Sequence, residues 1–117
     1  MKKIVIFILV TVFGMAGFSY AQTAKEVYLA VKKAELKSTG TQSDADNAIA
    51  DARAEFDLFK DSKEAIKNPE FTKHIDSAIN ALRVAQFAVQ VQNSPSEWKK
   101  NMDWAARELE QAKHFLK

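Results

Sequence analysis

Four cap signatures divide this chain more firmly than anything else in it, and they restrict it to a set of helices in fixed order. Thr23-Ala24-Lys25-Glu26 is a capping box, in which the threonine hydroxyl takes a free backbone N–H and the glutamate reaches back to the cap residue. Ser43-Asp44-Ala45-Asp46 offers a hydroxyl cap followed by acidic groups, which the positive end of a helix dipole favours. Asn68-Pro69-Glu70 puts proline at a first helical position, and Ser94-Pro95-Ser96-Glu97 combines that proline with a second capping box. The starts predict helices over about 24–38, 44–67, 69–92 and 95–117. Gly40 is expected in a left-handed cap closing the first of them.

Apolar residues recur inside these bounds with helical period. The stripes are Ala24, Val27, Val31, Ala34; Ala45, Ala48, Ile49, Ala52, Phe56, Phe59; Phe71, Ile75, Ala78, Ile79, Leu82, Ala85, Val89; and Trp98, Met102, Ala105, Leu109, Ala112, Leu116. Short connections force neighbouring helices to run antiparallel, so the expected fold is all-α, an antiparallel up-down-up-down four-helix bundle. The second stripe falters after Phe59, where Lys60, Asp61, Ser62 and Lys63 precede Ile66, and a kink or a thin, solvated end of the core is expected there. An echo at Asp46-Asn47-Ala48-Ile49, Asp76-Ser77-Ala78-Ile79 and Asp103-Trp104-Ala105-Ala106 has unequal offsets, and reads as a common alanine-rich bundle pattern rather than a repeat array.

Ahead of the first cap stand basic Lys2 and Lys3, the apolar run from Ile4 to Phe13, and the small-residue pattern Ser19-Tyr20-Ala21. This is the three-part grammar of a secretory signal peptide over residues 1–21, with cleavage expected after Ala21 and Gly14-Met15-Ala16 as an earlier cut. A retained anchor is the alternative, although the run is about half of the ~20 apolar residues a spanning helix needs. The expected location is the bacterial periplasm or the medium, with residues 22–117 as a single domain.

Composition enters at this point. The 117 residues carry 17 Lys and Arg against 15 Asp and Glu. Removing residues 1–21 leaves 96 residues and takes away two lysines, so 15 basic residues face 15 acidic ones and the formal charge of +2 disappears. A neutral chain with interspersed charges lacks the basic stripe that nucleic acid demands. Membrane contact is expected only transiently, through the signal peptide. With no cysteine, disulfide scaffolds, thiol enzymes and lipobox anchoring are excluded.

Little in the chain suits catalysis, and no enzyme activity is expected. Only two histidines occur, His74 and His114. His114 falls on a polar face. His74 lies on the apolar arc of the third helix beside Ala78 and Ala81, which makes it a weak metal candidate and, more simply, a satisfied histidine at a bundle edge. Pairing the third and fourth helices about a turn near Asn93 sets His74 level with Ala112 and about 15 Å from Met102 along the axis, too far for shared haem ligation. The acidic residues alternate with Lys and Arg at helical spacings, the pattern of a solvated face. No cofactor is expected.

Apolar surface is the unusual feature. The third helix carries a second line of Ala81, Val84, Ala88 and Val91, with Phe87 turned toward the polar side. A helix apolar around two-thirds of its girth is expected at the centre of the fold, with Val84 and Val91 buried against wrapping neighbours. Leu29 and Leu36 lie on the back of the first helix, and Trp104 and Phe115 on one flank of the fourth. The partner-binding residues expected from this pattern are Leu29, Leu36, Phe87, Trp104 and Phe115. The expected function is protein binding or self-association through apolar helix faces, with another envelope or secreted protein, or a second copy, as partner. The alternative is a carrier of a small apolar ligand or metal near His74.

Overall fold

The computed structural model describes residues 23–116, all-helical and without a strand among them. Five helices follow one another: α1 (Ala24–Lys37), α2 (Gln42–Phe59), α3 (Lys63–Lys67), α4 (Pro69–Gln90) and α5 (Pro95–Lys113). The expected leader, with its cleavage positions, and the last residue of the fourth predicted helix lie outside the described residues.

Local chemistry accounts for each boundary. The Thr23 hydroxyl accepts from Glu26 N at 3.1 Å while Glu26 Oε1 accepts from Thr23 N at 2.9 Å, so the capping box is complete. At Ser94 only half of the box forms, with the hydroxyl accepting from Glu97 N at 3.3 Å. The Ser94 N–H already donates to Ala88 O at 2.9 Å in the tight turn from α4, which leaves Glu97 no donor to reach back for. Asn93 makes that turn with φ 51, the one non-glycine residue with positive φ among the described residues.

α4 and α5 end early, at Gln90 and Lys113 rather than at about 92 and 117, and three further boundaries differ from expectation. α2 begins at Gln42 with Thr41 as its cap, not Ser43, because the Thr41 hydroxyl accepts from Asp44 N at 3.2 Å. Asp44 thereby occupies the first turn, where its charge suits the dipole. Gly40 takes no left-handed conformation. α1 instead ends on hydroxyls: Ser38 donates to Ala34 O at 2.7 Å and Thr39 to Leu36 O at 2.9 Å, satisfying terminal carbonyls that a left-handed cap would serve. The predicted second helix is two helices. After Phe59 no apolar residue faces the core until Ala65, and Ser62 caps a new start by accepting from Ala65 N at 3.1 Å. The break buries Ala65 and leaves Ile66 exposed.

α4 is the central element and packs against all four other helices. Phe71, Ile75, Ala78, Ile79, Leu82 and Ala85 are fully buried along it. α2 runs antiparallel to α4: Arg53 Nη1 reaches Asp76 at 3.1 Å and Arg53 Nη2 reaches Asn80 at 2.9 Å near the middle, while Gln90 Nε2 reaches Asp46 at 2.9 Å farther along. α5 runs antiparallel on the other side of α4, with Asn68 Nδ2 donating to Phe115 O at 2.9 Å and His74 opposite Glu108. His74 is therefore level with Glu108 and not with Ala112, because α4 stops at Gln90 and the turn closes earlier than expected.

The second apolar line of α4 splits. Ala81 and Ala88 are buried, but Val84 and Val91, expected in the interior, stand 46% and 66% exposed, and Val89 at the end of the core stripe is also exposed. The reason is positional. α2 and α5 flank α4 and α1 covers a third side, so the remaining side faces solvent whatever residues it carries.

Asn68 joins two contacts that no other side chain duplicates. Its Oδ1 accepts from Phe71 N at 3.4 Å, capping α4, and its Nδ2 holds the end of α5. Asn68→Ala is expected to lower the free energy of unfolding by about 1–2 kcal/mol, measured by urea titration, because one cap and one partly buried bond are lost together. A change below the error of the titration would show that neither contact persists in solution.

Candidate functional site

The residues singled out in the sequence do not converge on one cleft. Leu29 and Leu36 are exposed on the outer side of α1, opposite buried Val27, Val31 and Ala34. Phe87 is 51% exposed on the outer side of α4. Trp104 is 36% exposed on α5. Phe115, just beyond α5, is partly buried against the core and stacks on His74 with ring centroids 6.0 Å apart. It closes a seam between α4 and α5, as large aromatic rings do where two helices diverge.

His74 is mostly buried, with 20% of its side chain exposed. Its Nδ1 donates to Glu108 Oε1 at 2.7 Å, its Nε2 lies 4.0 Å from Glu70 Oε1, and one ring face lies on Phe115. An imidazole with its Nδ1–H given to a carboxylate has its orientation fixed. Among the described residues, no three His, Asp or Glu groups come together as a metal site. Ala78 and Ala81, the neighbours of His74 along α4, have no accessible surface, so no water-sized void touches them.

His114 instead lines a cleft of about 640 Å³ at the end of the molecule, with Thr23, Lys25, Glu64, Lys67 and Leu116 among its walls. Glu64 is committed within it, accepting from Ala24 N at 3.2 Å and so serving a free donor of the α1 N-terminus.

What helical spacing brings together is Val84, Phe87 and Val91. At i, i+3 and i+7 they lie on one face of the second half of α4 and its C-cap residue, Val91. Asn80 and Arg83 border a shallow depression around Val84 and Phe87. A second depression of about 530 Å³ lies between α2 and α4, lined by Ile49, Ala50, Arg53 and Phe87 among others. Phe87 therefore stands between two hollows. Leu58 and Ile66 add exposed apolar surface that the helical pattern could have revealed, since both fall opposite the buried stripe of their own segment.

One carboxylate departs from ordinary titration. Burial, then the nearby charges of Asp51 and Glu26, hold Glu55 above the usual glutamate value of 4.5, with Lys33 opposing. A raised folded-state value means that protonated Glu55 contributes stability fully present below the unfolded value and lost as pH rises through the folded one. Glu55→Gln is expected to raise the thermal midpoint at pH 7 and to leave it unchanged near pH 3. A lower midpoint at pH 7 would show that the Lys33 attraction outweighs burial and the repulsion of Asp51 and Glu26.

No family model, curated protein or solved structure matches the chain.

Proposed function

We propose that this chain is a small exported protein of the bacterial envelope that works by binding another protein, or itself, through apolar helix faces and without catalysis. In this reading residues 1–21 are a cleaved signal peptide, and α1, α2, α4 and α5 form an up-down-up-down four-helix bundle with α3 as a short turn at one end. No helix of the described residues is long and apolar enough to cross a membrane.

The observation that carries the binding reading is the Val84–Phe87–Val91 stripe. Half of a phenylalanine and much of two valines are left in water on and just beyond the most central helix, although Phe71, Ile75, Ile79 and Leu82 of the same helix have no exposed surface. Scattered exposed apolar residues are ordinary, but a contiguous line of them bordered by polar groups marks an interaction surface. Aromatic residues flanked by arginine are also the composition of binding hot spots. The absence of accessible surface on Ala78 and Ala81 favours this reading over a carrier with its ligand between those alanines and His74.

The test is to express the chain with its own N-terminal segment and a C-terminal tag, recover it by cross-linking from the envelope, and measure its intact mass. The expected chain begins at Gln22 and enriches a partner that the Phe87→Ser variant does not. A chain beginning at Met1 in the cytoplasm removes the export half of the reading. Identical recovery with the variant removes the binding half.

A further inference from the structure

We propose that the outer face of the α1–α2 hairpin docks on the same face of a second copy of this chain, with α1 of each copy laid against α2 of the other. This goes beyond the stripe on α4 and names one partner, and it rests on the binding reading only in assigning that partner to self-association.

Charge carries the choice of occupant. The residues from Gln22 onward are neutral as a whole, yet their charges are segregated between these two helices. α1 holds Lys25, Lys32, Lys33 and Lys37 against Glu26 and Glu35, while α2 holds five acidic residues against Arg53 alone. Among the α1 lysines, Lys32 is paired with Glu35 at 2.9 Å, whereas Lys25, Lys33 and Lys37 are exposed. A surface half cationic and half anionic repels any uniformly charged partner from one of its halves. It complements its own image when a two-fold axis exchanges the halves.

Apolar surface lies between the charges. Leu29 and Leu36 are 53% and 70% exposed on α1, and Leu58 is 68% exposed on α2. The outer side of α2 also presents the small residues Ala50 and Ala54, both exposed. The four-residue connection between Lys37 and Gln42 folds α1 back alongside α2, so the lysines of one helix run beside the carboxylates of the other. A two-fold axis along the α1–α2 seam preserves height. It therefore lays the exposed Leu29, Lys33, Leu36 and Lys37 of α1 over the α2 of the other copy, with its exposed Asn47, Ala50, Asp51 and Ala54. Leucine side chains fill the space above alanines, and a lysine meets a carboxylate, twice per dimer.

An anionic lipid surface is the competing occupant, since leucines flanked by lysines also suit a membrane interface. Asp44, Asp51 and Glu55 on the adjoining helix oppose it, because they would be pressed against headgroups of like charge.

The test is a charge exchange followed by sedimentation equilibrium of protein expressed with its own N-terminal segment and purified as the cell leaves it. Wild type is expected to dimerise, more weakly as salt shortens the range of the ion pairs. Lys33→Glu/Lys37→Glu and Asn47→Lys/Asp51→Lys are each expected to weaken self-association by at least about tenfold, since like charges then face one another. An equimolar mixture of the two variants is expected to restore dimers, because the reversed α1 of one variant then faces the reversed α2 of the other, while the second α1–α2 pair keeps its wild-type charges. All four positions are exposed, and circular dichroism establishes that each variant is folded. A wild-type monomer at high micromolar concentration overturns the proposal. So does dimerisation unaffected by either variant, which would leave self-association through α4 standing, and so does sedimentation of monomeric protein with phosphatidylglycerol vesicles.

Discussion

Phe71→Ala is expected to cost about 3–5 kcal/mol of folding free energy, the range for removing a fully buried aromatic side chain. That is a large part of the roughly 5–15 kcal/mol that holds a domain folded. Phe71 has no exposed surface and lies in the first turn of α4, edge-on to Phe59 with ring centroids 5.8 Å apart and planes at 83°. Phe59 is the last residue of α2, so this pair ties α2 to α4 across the break that begins at Lys60. Edge-to-face pairing adds about 0.5–1.5 kcal/mol for the pair, beyond the burial of the two rings. Truncation removes the transfer energy, leaves a cavity and releases the end of α2 from its anchor. Phe71→Leu keeps most of the volume and is expected to cost far less, about 1.5 kcal/mol or under. The measurement is urea unfolding followed by helical circular dichroism. A loss for Phe71→Ala no greater than that for Phe71→Leu would mean that the ring does not clamp the two helices.

The second large effect falls on binding rather than stability. Val84→Ser/Phe87→Ser is expected to leave unfolding within about 0.5 kcal/mol of wild type, the usual range for exposed positions away from special features. Both side chains already stand half in water, so little burial is lost on folding. Against a partner seated on the outer face of α4, the same change removes an aromatic anchor. Hot-spot truncations cost 2 kcal/mol or more, which corresponds to a loss of affinity of about thirtyfold or more. Stability and binding thus separate: Phe71→Ala disturbs both, while the α4 pair disturbs binding alone. A variant that binds as well as wild type would move the interface elsewhere, and one that unfolds would show that the stripe is packed in solution.

The caps and stripes were legible in the sequence because their physics is local. Thr23, Asn68 and Ser94 act within three or four residues of themselves, and each begins a helix where expected. The buried faces of α1 and α2 match the periodic apolar positions residue for residue. Where two local solutions compete, sequence alone chose wrongly. Thr41 and Ser43 are both competent caps, and Gly40 and the Ser38 hydroxyl are both competent helix ends. The break at Lys60–Ser62 shows in the apolar pattern, but whether a helix bends or restarts depends on what its far end must meet, here Phe71.

The candidate surfaces divide in the same way. That α4 has too many apolar residues for one core face is visible in its sequence. Which of them are covered is not, because Ala81 and Ala88 differ from Val84 and Val91 only in lying toward α5 or away from every neighbour. The segregation of lysines to α1 and carboxylates to α2 can be counted along the chain. That it forms one divided face follows from the hairpin that sets the two helices side by side. Helix positions, caps and periodicity were thus determined by the sequence itself, through interactions spanning a few residues. The tertiary structure decided which apolar faces are left in water, because exposure depends on how many neighbours surround a helix, and no local interaction encodes that number.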